Sequence, residues 1–250
     1  MDIQLFIVLL IILIIFYLFN KYNKYNTYEL FNSSFTKGPN IIQTWKTYEL
    51  PEKYKPLVYK VKYLNPYSNY LFFDDNDIDK FINKQFPQYY DIFHQFSYTI
   101  QKIDFFRYLA VYYFGGVYLD LDILLFQSLK NIDKNNKCVF PLEFSKSSDK
   151  ILHKQGLYGL IGNYAFYCPK GHPFMKLIIH NVVNNRIYKQ NDKDSIPKMK
   201  YVYYTTGPVL VSQSYINYNK KDEINIIQPI PFKKSHFGNY GKHVTFGTWK

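Results

Sequence analysis

The pattern of apolar and polar positions along the chain predicts helices and strands in alternation. Short apolar runs of strand length stand at residues 40–45, 70–73, 117–119, 139–142, 164–168 and 224–227. Longer segments with helical periodicity, bounded by proline or glycine, stand at residues 55–63, 77–85, 88–97, 104–114, 173–183 and 208–218. This alternation predicts an α/β domain with a largely parallel sheet, whose ligands bind at the carboxyl ends of the strands.

A long apolar run precedes the first of these elements. Residues 3–19 contain no charge, and their only polar side chain is Gln4. As a helix the run would be roughly 25 Å long, which is at the short end of what crosses a bilayer. No basic residue precedes it and bulky residues follow it, so a retained anchor is favoured over a cleaved signal peptide. We predict a transmembrane anchor over residues 1–20, a stem over 21–38 and one globular domain over 39–250.

The side of the membrane on which the domain lies stays open. Lys21 and Lys24 follow the apolar run, and the positive-inside rule then places the domain in the cytosol. Asn32-Ser33-Ser34 is a glycosylation sequon, which fits a lumenal domain instead.

Composition adds a basic charge balance and many aromatic rings. The formal net charge of +12 suits an anionic partner, such as a phospholipid surface or a phosphorylated small molecule. The lysines are scattered, so the charge does not predict a specific nucleic-acid interface. The 27 Tyr and 22 Phe residues favour a ring-rich core. Cys138 and Cys168 are interpreted as two small buried apolar residues, although they could pair.

The chemically distinctive segment runs from Asp104 to Asp122. Asp104 and Arg107 share one face of an otherwise apolar helix. They form either a structural ion pair or a polar pair that faces a cleft and binds ligand hydroxyls. Gly115-Gly116 then gives a turn where the backbone could approach a ligand closely.

Asp120-Leu121-Asp122 follows the next strand directly. Residues i and i+2 of a strand point the same way, so the two carboxylates would repel each other. A divalent cation resolves that repulsion and can in turn bind phosphate oxygens. A D-x-D triplet alone is weak evidence, but the Asp–Arg helix and the glycine turn before it strengthen the interpretation.

These residues together resemble glycosyltransferase family 32, whose D-x-D sugar-binding region occurs in fungal initiating mannosyltransferases and in inositol phosphorylceramide mannosyltransferases. The resemblance rests first on residues 103–109 and 115–122. It extends to residues 39–47, 65–67, 74–75, 161–163, 169–173, 206–208 and 243–249. It implies a GT-A glycosyltransferase fold, which is a Rossmann-like mixed sheet flanked by helices, here with an N-terminal transmembrane helix.

The resemblance also implies a metal site. Asp122 would bind Mn²⁺ or Mg²⁺ directly, Asp120 would bind the metal or the ribose of the donor, and His243 would complete the metal shell.

For the donor, the resemblance implies contacts from five residues besides Asp120. Trp45 would stack on the nucleotide base, and Trp249 would lie over the diphosphate. Asp104 and Arg107 would hold the donor sugar, and Asn163 would line the donor or the acceptor pocket.

The function expected on these grounds is metal-dependent transfer of a hexose, with mannose favoured, from a nucleoside-diphosphate sugar to a glycan or glycolipid hydroxyl. Retention at the anomeric carbon is implied by the family. Two alternatives stay open. One is a UDP-hexose donor carrying galactose, glucose or N-acetylglucosamine; the other is a non-catalytic, basic protein that binds nucleotide-sugars or a membrane surface.

Overall fold

The computed structural model describes residue 14 and residues 38–132, 135–143, 157–184, 194–230 and 236–245. Apart from Ile14, these residues fall in a compact unit that spans Lys37–Lys250. The predicted anchor and stem lie outside the described residues, except for Ile14 and Gly38, and so does Trp249. Among the residues described, no helix combines the length and the apolar character needed to cross a membrane.

Helices and strands alternate over the first half of the domain, as the sequence pattern predicts. The described helices are α1 (Lys55–Leu64), α2 (Asp75–Gln85), α3 (Tyr90–Gln95), α4 (Thr99–Phe114), α5 (Pro173–Val183), α6 (Lys198–Thr205) and α7 (Pro208–Ile216). The described strands are β1 (Ile41–Thr44), β2 (Tyr70–Phe73), β3 (Gly116–Leu119), β4 (Ile123–Leu125), β5 (Cys138–Glu143), β6 (Leu160–Ile161), β7 (Ala165–Cys168), β8 (Ile224–Ile227) and β9 (Gly241–His243). Short 3-10 turns stand at Pro87–Tyr89 and Lys221–Glu223.

The main sheet is mixed, in the order β2-β1-β3-β7-β5-β6, with β8 beside β5. Strand β1 is parallel to β2 and β3, and β8 is parallel to β5. Strand β7 is antiparallel to β3 and β5, and β6 is antiparallel to β5. The expectation of a mixed sheet is confirmed, but the expectation of a largely parallel one is wrong. Strand β7 is antiparallel to both of its neighbours and β6 is antiparallel to β5, which leaves three parallel pairings among the six described in this sheet.

The two faces of the sheet bury different side chains. Ile41, Val117 and Leu119 lie on one face and pack against Val61 of α1 and against the strand β4. The opposite face carries rings: Phe166 of β7 stacks on Phe140 of β5 at 4.9 Å between ring centroids, and α4 and α5 add further rings. The abundance of aromatic residues therefore serves the core, as the composition predicts.

Gly115 and Gly116 hold the backbone close to protein groups rather than to a ligand. Their φ angles are +67° and +107°, which disfavour side chains. A Cβ at Gly116 would stand 2.3 Å from the carbonyl oxygen of Asn40, and one at Gly115 would stand 2.7 Å from the amide nitrogen of Lys170. The predicted ligand approach at this turn is wrong, because the glycines lie at the amino end of β3 and let it pack beside the segments before β1 and after β7.

Four elements were not expected from the sequence, namely β4, β6, β9 and α6. The three strands have only two or three residues each, which is too short for an alternating pattern to show. Two of them, β4 and β9, pair with each other in a separate antiparallel ribbon.

Cys138 and Cys168 form a disulfide. The first residue of β5 and the last residue of β7 lie opposite each other where these two strands run antiparallel, which brings the thiols together. The interpretation of the two cysteines as separate small apolar residues is therefore wrong, although both are fully buried.

Replacing both cysteines, as Cys138→Ala with Cys168→Ala, should lower the free energy of unfolding by about 3–4 kcal/mol, because the bond closes a 30-residue separation and restricts the unfolded chain. Urea unfolding of the full chain in detergent, followed by near-UV circular dichroism, measures the change. Wild-type protein in a reducing agent is the control and should unfold like the double variant. Equal unfolding midpoints for the oxidised wild type and the double variant would contradict a structural cross-link.

Candidate active site

Asp120-Leu121-Asp122 forms a tight turn between β3 and β4. The amide of Ile123 donates to the carbonyl oxygen of Asp120 at 3.2 Å, which closes the turn. The sequence interpretation placed the two carboxylates on one side of a strand. In the structure they converge through a turn instead.

Leu121 fixes the direction of this turn. Its side chain is 5% exposed and packs with Tyr54 and Val58, and Trp45 packs against the same cluster. The flanking carboxylates keep more contact with solvent, since the side chain of Asp120 is 28% exposed and that of Asp122 is 14% exposed. Burial of the apolar residue between them thus leaves both acids at the open side of the turn.

His243 joins the two aspartates through the β4–β9 ribbon. Ile123 pairs with His243 in this ribbon, and the amide of Val244 donates to the carbonyl oxygen of Asp122 at 2.8 Å. Nε2 of His243 lies 3.2 Å from Oδ1 of Asp122. The ring also stacks on Tyr164, with 4.5 Å between centroids. The ribbon therefore brings a C-terminal histidine to a turn more than a hundred residues earlier in the chain.

The protonation of His243 depends on these acids. Burial lowers its pKa, but the hydrogen bond to Asp122 and the charges of Asp122, Asp120 and Glu143 outweigh that effect, so the pKa of His243 is raised above its usual value. The imidazole therefore keeps its proton to a higher pH than a free histidine.

Two side chains contact the carboxylate of Asp120. The hydroxyl of Tyr118 donates to its Oδ1 at 2.8 Å, and Nη2 of Arg107 lies 3.5 Å from the same oxygen. The guanidinium also lies over the Tyr118 ring, 4.7 Å from its centroid. Because both of these contacts involve Oδ1, Oδ2 is the oxygen of Asp120 that is suited to bind a ligand.

Asp104 and Arg107 form the ion pair that their spacing suggests. Nη2 of Arg107 lies 3.2 Å from Oδ1 of Asp104, and both side chains are almost completely buried. Nη1 of Arg107 donates to the carbonyl oxygen of Asn163 at 2.6 Å, while the amide of Asn163 donates to Asp104 at 3.0 Å. The hydroxyl of Thr206 donates to the other oxygen of Asp104 at 2.8 Å. These contacts give both oxygens of Asp104 and both terminal nitrogens of Arg107 protein partners, whereas the buried Nε of Arg107 has no hydrogen-bond partner among the described residues. Direct contact of the pair with a donor sugar stays a prediction.

Burial raises the pKa of Asp104 to about 6, although the Arg107 charge and the Thr206 hydrogen bond act in the opposite direction. Asp104 is therefore ionised at neutral pH. Burial also raises the pKa of Asp120, while the Arg107 charge acts to lower it. One buried cation thus stands between two carboxylates.

The backbone of Asp120 is tied down as well. Its amide donates to the carbonyl oxygen of Tyr164 at 2.7 Å. The amide of Gln43 donates weakly to the carbonyl oxygens of Leu119 and Asp120, and the hydroxyl of Tyr70 donates to Gln43 at 2.9 Å. Strands on both sides of β3 therefore fix where the strand ends.

The structure brings together most of the residues predicted for the site. Six of them lie in one connected set, namely Asp104, Arg107, Asp120, Asp122, Asn163 and His243. Trp45 lies at its edge, with its ring 4.8 Å from that of Tyr54 between centroids. Trp249 lies outside the described residues, so its place over the diphosphate stays a prediction.

The sequence interpretation missed several members of this set. Tyr118 is in β3, two residues before Asp120, and that spacing could have identified it. The hydroxyl of Tyr108 donates to the carbonyl oxygen of Thr206 and receives the amide of Asn163, but no sequence signal marks it. Glu143, at the end of β5, shares electrostatic interactions with His243 and Asp120, and burial raises its pKa.

The donor atoms of the site fit a divalent cation. One ligand atom each from Asp120, Asp122 and His243 lie within 4.8 Å of one another. Two carboxylate oxygens and an imidazole nitrogen are a set that suits Mn²⁺ and accepts Mg²⁺.

Asp104→Asn should lower the free energy of unfolding by about 3 kcal/mol, because it removes one of the two carboxylates that compensate the buried Arg107 charge. Asp91→Asn is the matched control, since Asp91 is exposed on α3. Urea unfolding of both variants at pH 7.5 measures the difference. Equal free energies of unfolding for the two variants would show that the Asp104–Arg107 pair does not stabilise the fold.

Comparison with known proteins agrees with this geometry. Residues 19–139 match the family described as "Glycosyltransferase sugar-binding region containing DXD motif". The chain is 27% identical over 223 residues to inositol phosphoceramide mannosyltransferase 1 of Schizosaccharomyces pombe, covering 85% of this chain and 62% of that protein. It is 30% identical over 129 residues to the initiation-specific alpha-1,6-mannosyltransferase of Candida albicans, covering 49% of this chain and 30% of that protein.

The chain spans less than two thirds of the length of each of these relatives. Among solved structures, the PaToxG glycosyltransferase aligns with a TM-score of 0.47 and 17% identity, covering 71% of this chain and 68% of that one. The family match includes both the Asp104–Arg107 pair and the Asp120–Asp122 turn, and it confirms the resemblance drawn from them: residues 19–139 are similar to the glycosyltransferase sugar-binding region that contains the DXD motif.

Proposed function

We propose that the protein is a metal-dependent glycosyltransferase of GT-A type that moves a hexose, with mannose favoured, from a nucleoside-diphosphate sugar to a glycan or glycolipid hydroxyl. The observation that carries the proposal is the convergence of Asp120, Asp122 and His243 beside a buried arginine. The similarity to two proteins named as mannosyltransferases supports the choice of sugar, and the name of one of them supports a glycolipid acceptor.

Asp120, Asp122 and His243 would hold the cation, Mn²⁺ or Mg²⁺. When bound, such a cation offsets negative charge on the two phosphates of the donor and on the diphosphate that leaves. The protein groups around it are fixed in advance: the turn by Leu121, and the imidazole by its stacking on Tyr164. Preorganisation of this kind avoids the cost of ordering the ligands when the donor binds.

Arg107 acts in this proposal through Asp120. Its charge and the Tyr118 hydroxyl hold Oδ1 of Asp120, so Oδ2 is directed to the ligand. Direct contacts of Asp104, Arg107 and Asn163 with the donor sugar belong to the same proposal. So do stacking of the base on Trp45 and closure over the diphosphate by Trp249.

The proposal includes retention at the anomeric carbon. Asp104, the acid nearest Arg107, is held by Asn163, Thr206 and Arg107, which leaves it poorly placed to attack an anomeric carbon. A front-face displacement, in which the acceptor hydroxyl enters on the side where the diphosphate leaves, is consistent with that arrangement. We further propose that residues 1–20 anchor the chain in a membrane, which keeps a lipid acceptor near the site.

Asp122→Asn should reduce donor hydrolysis and sugar transfer at least about a hundredfold, because it removes the charge of a cation ligand while preserving the size of the side chain. A panel of GDP-mannose and UDP-hexoses with Mn²⁺, scored for release of nucleoside diphosphate, measures the loss. Asp91→Asn is the matched control and should retain full activity. Undiminished turnover in the folded Asp122→Asn variant, or in excess chelator, would exclude the metal-dependent reaction.

Mn²⁺ affinity should fall as the pH decreases from 8 to 6. The hydrogen bond to Asp122 raises the pKa of His243 above its usual value. The imidazole must lose its proton before it can bind a metal. Below that pKa the affinity should drop about tenfold per pH unit. Isothermal titration with Mn²⁺ alone measures this without any turnover. His243→Asn should bind more weakly and with a flatter pH dependence over this range, whereas His180→Asn, at an exposed histidine of α5, should behave like the wild type.

A further inference from the structure

Helix α1 and the turn after it present three exposed tyrosines. Tyr59 and Tyr63 stand one helical turn apart, and Tyr67 follows in the turn after the helix. Their exposed fractions are 70%, 70% and 67%. The rings of Tyr59 and Tyr63 stack at 6.1 Å between centroids. We call these three residues the tyrosine face.

The tyrosine face is the outer side of a helix whose inner side is well packed. Val58 and Val61 are buried, and Val61 joins the core beneath β1 and β3. Asn65 closes the helix and accepts from the amide of Leu129 at 2.7 Å. The helix is therefore firmly seated, and its exposed rings do not result from loose packing. Three large amphipathic rings left together at a surface indicate an interaction site.

The charges around the tyrosine face are mostly positive. Residues 50–67 contain four lysines, at positions 53, 55, 60 and 62, and one acid, Glu52. Glu52 pairs with Lys55. The ammonium group of Lys62 also lies over the ring of Tyr70, 4.2 Å from its centroid. A partner for this surface should therefore carry negative charge beside an apolar layer.

The chain enters the domain beside this face. A Cβ placed on Gly38 would stand 2.4 Å from Oγ of Ser68, the residue after Tyr67. Residues 1–37 precede Gly38, and they include the uncharged apolar run at residues 3–19. The segment that would be held in a membrane is thus connected to the domain at the end of the tyrosine face.

The other end of α1 adjoins the candidate active site. Tyr54 precedes the helix, lies 4.8 Å from Trp45 between ring centroids, and packs with Leu121 of the metal-site turn. A surface held against α1 would therefore be close to the edge of the site.

From these observations we propose that the tyrosine face docks the domain on a bilayer surface that carries anionic phosphate headgroups. The proposal rests on the proposed function for the identity of the acceptor, a glycolipid that such a surface would present. Tyrosine suits the boundary of a bilayer, because its ring enters the apolar layer while its hydroxyl stays hydrated. The flanking lysines are attracted to phosphate groups at the same depth.

The test uses the full chain in phosphatidylcholine vesicles that contain 20% phosphatidylserine. Tyr63→Cys carries an environment-sensitive fluorophore, and Met199→Cys is the matched control. Met199 is 47% exposed on α6, which packs with α4 and α7 rather than with α1. The two native cysteines are paired and buried, so the label attaches at the introduced position. Lipids with a nitroxide at the headgroup quench a label that lies at the membrane surface.

The expected result is quenching at position 63 that is at least about threefold stronger than at position 199. Lys60→Gln with Lys62→Gln in the Tyr63→Cys background should reduce that quenching, and so should vesicles without phosphatidylserine. Equal quenching at positions 63 and 199 would overturn the proposal, since the anchor alone would then hold the domain in no fixed orientation.

Two other occupants of the face have distinct signatures. A shift of the label at position 63 that depends on protein concentration, without lipid quenching, would identify a second copy of the chain and reject the membrane. A shift of the label caused only by added RNA would identify a nucleic acid as the partner and would also reject the membrane. Donor hydrolysis in detergent, measured on the same labelled protein, reports on the site alone. Absence of quenching at position 63 with donor hydrolysis intact would therefore refute membrane docking. Absence of donor hydrolysis with quenching intact would refute the proposed glycosyltransferase activity.

Discussion

The buried guanidinium of Arg107 is the constraint on which the rest of the site depends. A charge that is 3% exposed must be matched by opposite charge and hydrogen bonds, or it costs several kcal/mol. Asp104 on the same helix, Asp120 at the end of β3 and the carbonyl oxygen of Asn163 meet that demand from three parts of the fold. The position of Asp120 is therefore set by the core of the protein rather than by its surface.

A second device attaches the chain's C-terminal part to the same point. The β4–β9 ribbon starts at the Asp122 turn and ends at His243, so its register decides whether the histidine reaches the aspartates. On the far side of β7, the disulfide fixes the strand whose preceding residue, Tyr164, supports His243. Disulfides persist in oxidising compartments, which weighs against the cytosolic orientation that Lys21 and Lys24 favour.

Sequence patterns located the elements that are long enough to show a period. They predicted Tyr70–Phe73, Ile224–Ile227 and Pro173–Val183 at the bounds observed. They failed at β4 and β9, because a three-residue strand has no pattern, and these are the strands that assemble the site. The sequence interpretation selected Asp120 and Asp122 because of the residues around them, since the D-x-D pattern alone is not specific. Residues 75–79 also contain D-x-D triplets, but these lie in α2, where Asp74 and Asp77 cap the helix.

The distribution of charge in this basic chain agrees with the cation proposed for its site. The chain has a formal net charge of +12, yet Asp104, Asp120, Asp122 and Glu143 gather around one arginine and one histidine. A site with this excess of carboxylates repels a diphosphate, while the rest of the molecule attracts one. A divalent cation offsets most of that negative charge at this point alone. The lysines can then lie on outer surfaces, such as the region beside the tyrosine face, where they would contact phosphate groups outside the site.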